Sequence, residues 1–319
     1  MKTEYYIGLD CGGTRTRGVV ADEEMRILAR ARAGPGNPLS AGMTVAFSSY
    51  RSVIRRLLDQ TRLNRADITA LGIGAAGAGR QAERLRLEQA LQKLVPRARI
   101  MVESDGMIAL LGATLGKPGI IVIAGTGSFV LGMDAGGRTF RAGGWGPILG
   151  DEGGGATMGR EGIRGMLRAE DGREPATTLR RAILDHFHVR TPDELVTRIY
   201  RRPQTPREYA RLWPLLLREA GRGDKLARSI LRKGGEELAQ TIEVVARGLR
   251  SRNRTIPVIF AGGVLSCDSL LRQTILRRLK RSLPHADLVA AIAEPEIGAL
   301  YLGRGRFKPR SPIRLGSSL

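Results

Sequence analysis

The chain has 319 residues, of which 42% are hydrophobic and 26% charged. This balance excludes an intrinsically disordered chain and predicts a globular protein with two domains. No apolar stretch reaches the ~18 residues of a membrane helix, and the first residues lack the apolar core of a secretory signal. Cys11 and Cys267 are too few for a disulfide framework or a four-cysteine metal site. We therefore expect a cytoplasmic protein with reduced thiols and no membrane partner.

The chain is strongly basic, with 52 Lys and Arg against 31 Asp and Glu and a net charge of +21. Such a charge favours either binding to a polyanion or an arginine-rich surface. The basic residues occur along the whole chain, and aromatic residues make up only 4%. Because no aromatic stacking surface is interleaved with them, we expect no nucleic-acid partner.

The first part of the chain predicts an α/β domain. Three short strands separated by small-residue turns indicate an antiparallel hairpin followed by a third strand, and helices then alternate with strands. The segment 34–38 is a loop by its glycine and proline content. The predicted strands are Tyr5–Asp10, Thr14–Asp22, Ile27–Ala33, Ile68–Ile73 and Arg99–Val102, and the predicted helices are Val45–Thr61, Ala82–Val95 and Asp105–Leu115.

The pattern restarts near residue 117, again as strand, tight turn and strand. We therefore predict an N-terminal domain over 1–116, completed by a closing helix at about 295–303, a larger domain over 117–294 and a basic tail over 304–319. Most of 157–248 is predicted to be helical, after a glycine-dense segment at 142–155. The remaining predicted elements are strands at Gly119–Ala124, Phe129–Asp134, Ile256–Ala261 and Asp287–Ala291, and helices at Leu270–Leu283 and Pro295–Leu302.

The first hairpin of each predicted domain has a turn that is suited to binding phosphate. Glycines let backbone amides approach an anion closely, and a Thr or Ser hydroxyl adds a donor. The first turn contains Gly12, Gly13 and Thr14 after Asp10, and the second is 125–128. Each alone is equally consistent with an ordinary hairpin. Together, facing one another across a cleft, the two turns could hold one polyphosphate, with Asp10 beside a hydrated Mg²⁺.

Three further segments carry candidate site residues. Asp105, between a strand and a helix, taken alone is predicted to be a helix N-cap, although a carboxylate at the end of a strand also suits phosphoryl transfer. The glycine-dense segment, with Trp145 and Asp151, favours a sugar pocket over a flexible surface loop. Gly262 and Gly263 follow a strand and allow either a flat ring against the backbone or a short turn.

These motifs, taken in order, resemble one family. The segments LDCGGTRTRGVV, GPGNP, LGIGAAGAG, ESDG, IAGTGS, GGWGPILGDEGGG and FAGGV run from Tyr5 to Gly303. The sequence is similar to the N-acetylglucosamine kinase family, which also contains ATPase activators of benzoyl-CoA reductase and 2-hydroxyacyl-CoA dehydratases. That family belongs to the superfamily of sugar kinases, actin and heat-shock chaperone ATPases. The resemblance implies two ribonuclease-H-like domains around a central nucleotide cleft, with ATP and Mg²⁺ as cofactors.

The resemblance also implies roles for single residues. Asp105 matches the catalytic base, and Asp10 the acid that holds Mg²⁺ through water. The nucleotide-binding positions fall into two phosphate loops and an adenosine loop. The first phosphate loop contains Gly12, Gly13 and Thr14, and the second contains Thr126 and Gly127. The adenosine loop contains Gly262 and Gly263. The positions that resemble sugar contacts are Asn37, Gly144, Trp145 and Asp151.

The sequence departs from the family pattern at three positions. Ser104 precedes the catalytic position, where Asn or Thr is common, and Gly106 follows it, where Ala is usual. Ala76 stands where animal N-acetylglucosamine kinases carry a hydroxyl residue, so glucosamine, glucose or another hexose remains an alternative to the N-acetyl sugar.

The function implied is an ATP-dependent kinase of an amino sugar or related hexose, acting as a homodimer. One alternative is an ATPase activator that shares an iron–sulfur cluster between subunits, for which Cys11 and Cys267 are badly placed. The other is a non-catalytic sugar- or DNA-binding regulator, although no helix-turn-helix precedes the first strand.

Overall fold

A computed structural model describes residues 3–75, 78, 81–249 and 255–305. Strands and helices alternate in its first part, and helices dominate after residue 155. The strands are β1 (Tyr5–Cys11), β2 (Thr16–Ala21), β3 (Ile27–Ala33), β4 (Ile68–Ala75), β5 (Arg99–Glu103), β6 (Gly119–Ala124), β7 (Ser128–Met133), β8 (Thr139–Gly143), β9 (Ile256–Ala261) and β10 (Ala286–Val289). The helices are α1 (Pro38–Ala41), α2 (Met43–Thr61), α3 (Gln81–Gln92), α4 (Asp105–Thr114), α5 (Gly155–Glu170), α6 (Leu179–Phe187), α7 (Pro192–Arg201), α8 (Pro206–Ala210), α9 (Trp213–Gly221), α10 (Lys225–Gly248), α11 (Leu270–Ser282) and α12 (Pro295–Arg304).

The first sheet has the strand order β3-β2-β1-β4-β5. The first three strands form an antiparallel meander, and β4 and β5 run parallel to β1. In the parallel part, Asp10 lies opposite Gly74, which lies opposite Glu103. The register therefore aligns two carboxylates in one row at the carboxyl ends of three neighbouring strands, where open α/β sheets bind ligands.

The two faces of this sheet are packed in different ways. A cluster of buried side chains from the strands and from α2 and α3, including Leu9 and Leu57, forms the main core. The other face approaches α4 and α12 at backbone distance. A β-carbon at Gly72 would overlap the carbonyl oxygen of Ala299, and one at Gly74 would overlap the side chain of Ile108. Glycine is thus needed on this face because helix backbone at Gly72, and a helix side chain at Gly74, already fill the space of a side chain.

The second sheet has the order β10-β9-β6-β7-β8, with β10 parallel to β9. The chain divides into two compact units. The first holds the described residues up to Ile121, Met133–Thr139 and the segment from Ala290 onward, and the second holds Val122–Gly132 and Phe140–Val289. Within the described residues, no helix is long and apolar enough to span a membrane.

Two elements were missed by the sequence analysis. The short helix α1 begins at Pro38, the last residue of the segment predicted to be loop, and β8 lies at the edge of the glycine-dense segment. Phe140 of β8 packs where a β-carbon of Gly248 in α10 would stand, so a distant helix stabilises this strand. Ala76 and the tail beyond residue 305 lie outside the described residues.

Replacing Gly298 with Ala tests the close packing of α12 on α4. A β-carbon there would overlap the carbonyl oxygen of Ile108 and the amide of Gly112. Since both neighbours are backbone, we expect Gly298→Ala to lower the free energy of unfolding by ~3 kcal/mol, measured by urea denaturation. Gly221→Ala, with open space at the end of α9, is the control and should change stability by less than ~1 kcal/mol. Equal stability of the two variants would contradict this packing.

Candidate functional site

The first hairpin turn is exposed at its tip and fixed at its base. The amide of Gly12 donates to the carbonyl of Arg15 at 3.0 Å, and the carbonyl of Gly12 accepts from the amides of Gly36 (3.0 Å) and Asn37 (3.1 Å). Gly13 and Thr14 are exposed between these anchors. A small-residue turn held in this way presents backbone and hydroxyl donors to an anion without a change of shape.

The loop that carries Asn37 is pinned against this hairpin. The hydroxyl of Tyr50 donates to the carbonyl of Gly36 at 2.6 Å, and the hydroxyl of Thr16 donates to the carbonyl of Gly34 at 3.0 Å. Asn37 caps α1 by accepting a hydrogen bond from the amide of Leu39 at 2.9 Å. The cap uses its carboxamide oxygen, so its NH₂ group is the part of the side chain that could donate to a ligand.

Asp10 lies at the end of β1 in an acidic environment. Its pKa is raised from 3.8 to about 6, mainly by burial and also by the charges of Glu296 and Asp105, against the opposing charge of Arg17. Glu296 and Asp105 are therefore each close enough to repel the Asp10 carboxylate.

Glu296, in the first turn of α12, was missed by the sequence analysis. It is 5% exposed, and its Oε2 atom has no hydrogen-bond partner among the described residues. Its oxygens lie 3.8 Å from Arg17 and 3.6 Å from Arg30. Glu296 is thus a buried carboxylate that two arginines neutralise in part, with one oxygen left without a hydrogen bond beside Asp10. No group of three or more His, Cys, Asp and Glu in the described residues is placed to ligate a metal ion.

Asp105 is the first residue of α4 and is exposed. The prediction that it is the helix N-cap, made from its position alone, is wrong. Ser104 is the N-cap, and its hydroxyl accepts from the amide of Met107 at 3.2 Å. Among the described residues, the Asp105 carboxylate accepts one hydrogen bond, from the amide of its neighbour Gly106 at 2.9 Å. Capping by Ser104 thus leaves an exposed carboxylate free for chemistry at the edge of the sheet.

The second hairpin turn rests on the start of α5. The amide of Gly155 donates to the carbonyl of Gly125 at 2.8 Å, and that of Ala156 donates to the carbonyl of Thr126 at 2.9 Å. Thr126 is exposed. A β-carbon at Gly127 would overlap the carboxylate of Asp151, so this position requires glycine because an acid packs against the turn.

Asp151 joins the second hairpin to the glycine-dense loop. It has a left-handed backbone, with φ of 59°. Burial raises its pKa, although its carboxylate accepts a hydrogen bond from the amide of Gly146 at 3.1 Å. The carbonyl of Gly144 accepts from Arg141 at 2.7 Å, and the Trp145 side chain is 77% exposed. The loop is therefore fixed at its backbone and presents an aromatic face to solvent.

The loop containing Gly262 and Gly263 lies beside the same hairpin. Gly262 has φ of 93°, and a β-carbon there would overlap the carbonyl oxygen of Ala124, the residue before the second turn. The same carbonyl accepts from the amide of Val264 at 3.0 Å. Gly263 is exposed with open space around it.

The sequence-derived site residues thus form two groups, one in each unit. Asp10, Asp105, Asn37 and the turn at 12–14 lie in the first unit, and the other predicted positions lie in the second. Sequence reasoning missed Glu296, for which no local pattern was available, and Glu103. The position of Glu103 at the carboxyl end of β5 was a signal that could have identified it.

Asp10→Asn should stabilise the protein in the absence of nucleotide and divalent cations. Because the pKa of Asp10 is raised in the folded state, Asp10 costs no stability below pH 4, and its ionisation lowers the free energy of unfolding as the pH rises towards 6. Removing the charge should restore up to ~3 kcal/mol above pH 6 and little at pH 4. Thermal unfolding at pH 4 and 7.5 measures both.

Asp134→Asn is the control of opposite sign. The pKa of Asp134 is lowered despite its burial, because it accepts hydrogen bonds from Arg138, one of them at 2.6 Å. This variant should lose stability at pH 7.5 and lose less at low pH. A lower melting temperature for Asp10→Asn at pH 7.5 would contradict the charge repulsion inferred around Asp10.

Comparison with known proteins identifies close similarity to sugar kinases. An N-acetylmuramic acid/N-acetylglucosamine kinase from Clostridium acetobutylicum is 30% identical over 301 residues, which cover 94% of this chain and 98% of the relative. A glucosamine kinase from Vibrio cholerae is 32% identical over 234 residues, 73% of this chain and 78% of the relative. A crystal structure of a proposed N-acetylglucosamine kinase from Chromobacterium violaceum has a TM-score of 0.70 and 31% identity, and the match covers 93% of this chain and 98% of that chain.

A family model also matches nearly the whole chain. The model of the BadF/BadG/BcrA/BcrD ATPase family matches residues 7–303. The resemblance inferred from the motifs and the predicted α/β fold with two sheets are both confirmed. The chain belongs to the BadF/BadG/BcrA/BcrD ATPase family.

Proposed function

We propose that this protein is an ATP-dependent kinase that phosphorylates a hydroxyl group of an amino sugar, with N-acetylglucosamine and glucosamine as the first candidates. The observation that carries the proposal is the exposed carboxylate of Asp105. It lies at the carboxyl ends of the parallel strands β1, β4 and β5, is not used to cap α4 because Ser104 does so, and is near Asp10. The kinase names of the relatives from two bacterial species support the choice of substrate class.

Asp105 acts as the general base. Its carboxylate accepts the proton of the sugar hydroxyl as that oxygen attacks the γ-phosphorus, and the bond from the γ-phosphorus to the bridging oxygen of ADP breaks. Asn37 donates a hydrogen bond to a sugar hydroxyl through its NH₂ group. Asp151 accepts from sugar hydroxyls, Gly144 offers backbone, and Trp145 covers the apolar face of the ring.

The family resemblance implies a phosphate-binding turn in each unit. In the first unit the donors to phosphate are Gly12, Gly13 and Thr14, and in the second unit they are Thr126 and Gly127. Gly262 and Gly263 leave room for the adenosine.

Asp10 would hold Mg²⁺ through water, as the family resemblance implies, and the repulsion of Asp10 by Glu296 is compatible with a cation there. The ion supplies neutralisation of the phosphate charge when bound.

The ATPase-activator alternative is weaker. A cluster shared between subunits needs accessible thiolates, whereas Cys11 is fully buried and burial raises its pKa. The homodimer and the cytoplasmic location belong to this proposal and rest on the resemblance described above.

Asp105→Asn is the decisive variant. It should bind ATP with unchanged affinity and lose phosphoryl transfer by ~10²–10⁴-fold, because the general base is removed. ADP release by a coupled assay measures the rate. Asp193→Asn, at an exposed acid in the first turn of α7, should keep full turnover. Near-normal turnover of Asp105→Asn would reject the assignment.

A panel of sugars tests the substrate class. N-acetylglucosamine, glucosamine, N-acetylmuramic acid and glucose are assayed with ATP, and the ratios of kcat/KM rank them. We expect an amino sugar to exceed glucose by at least ~10-fold. Equal rates with and without sugar would indicate an ATPase rather than a kinase.

A further inference from the structure

Arg84 makes three hydrogen bonds, one from each nitrogen of its guanidinium. It lies in α3, and its Nη1 and Nη2 atoms donate to the two carboxylate oxygens of Glu103 at 2.8 and 3.1 Å. Its Nε donates to the carbonyl of Ala78 at 2.6 Å. A guanidinium held at three points fixes direction as well as distance, unlike a single charge–charge contact.

Glu103 extends this chain of contacts to the start of α4. It is the last residue of β5, and its Oε2 also accepts from the amide of Ser104 at 3.3 Å. Ser104 in turn caps the helix whose first residue is Asp105. Through Glu103, Arg84 is therefore linked to the backbone amide of Ser104, the residue immediately before the proposed base.

The pair is poorly explained as a simple stabilising contact. The side chain of Glu103 is 11% exposed and that of Arg84 33%, and burial raises the pKa of Glu103 against the effect of Arg84. The desolvation of such a pair offsets most of its Coulomb energy, so an apolar pair would stabilise the fold equally well. What the ion pair adds is geometry.

Arg84 links the ends of two neighbouring strands. Ala78 follows β4 at the end of the LGIGAAGAG segment, and Glu103 is the last residue of β5. We propose that Arg84 and Glu103 are positioning residues, which act through Ser104 and hold the Asp105 carboxylate in its orientation towards the sugar hydroxyl. This inference rests on the proposed kinase function.

The test compares variants of this pair in the full-length protein. Glu103→Gln and Arg84→Lys should each lower kcat by ~10–100-fold, since an error near 1 Å in a reacting group costs about 100-fold. The Kd of ADP, measured by calorimetry, should change by less than about twofold. The double variant should be no slower than the slower single variant, because the two residues act as one unit.

Arg278 and Glu243 provide a matched control. They form a bidentate pair between α11 and α10, in which Nε and Nη2 of Arg278 donate at 2.7 and 2.9 Å, with side-chain exposures of 33% and 17%. Because the pKa of Glu243 is lowered by Arg278 whereas burial raises that of Glu103, Glu243→Gln should lower the melting temperature at least as much as Glu103→Gln and leave kcat unchanged.

Chemical rescue supplies a readout that a stability role would not move. Guanidinium ion at millimolar concentration should raise the kcat of Arg84→Ala at least fivefold. The same addition should leave the kcat of Arg278→Ala unchanged.

The outcomes separate the positioning role from the proposed function. A kcat of Glu103→Gln within twofold of the wild type, with Asp105→Asn inactive, would overturn the positioning role and leave the kinase proposal standing. Full turnover of Asp105→Asn would overturn both, since the pair acts through that carboxylate.

Discussion

The close approach of α4 and α12 to the first sheet is the constraint on which the site depends. Gly72 lets β4 pack against the backbone of α12, Gly298 lets α12 pack against the backbone of α4, and Gly74 makes room for the side chain of Ile108 in α4. This packing brings Glu296, at the start of α12, near Asp10 at the end of β1, and places the start of α4 at the same edge of the sheet. Larger residues at these glycines would displace the carboxylates that the proposed chemistry uses.

Charge in this region is arranged against stability. Asp10 is half-buried and repelled by two other carboxylates, and Glu296 carries an oxygen without a hydrogen bond in the described residues. The proposed Mg²⁺ would offset this repulsion by bringing positive charge beside Asp10. A proportion of stability is thus given up where a ligand is expected to bind, which is common in functional sites. Asp151, buried against the second turn, follows the same pattern in the other unit.

The proposed site also separates fixed backbone from exposed donors. The Gly12 turn is held by the loop before α1, and the Thr126 turn by the first amides of α5. The side chains of Thr14, Thr126 and Trp145 remain exposed. A rigid backbone with free polar and aromatic groups lowers the cost of ordering the site when a ligand binds.

The sequence by itself determined the order of strands and helices, the two turns, the family and most of the candidate residues, because turn chemistry, hydrophobic period and short motifs are local. It left the helix α1 and the edge strand β8 unassigned, since Phe140 is held by α10 from far along the chain. Only the tertiary structure decided that Ser104, rather than Asp105, caps α4, and that Arg84 pairs with Glu103. It also decided that Glu296 lies near Asp10. These features depend on which side chains packing brings together, and no local pattern encodes such distances.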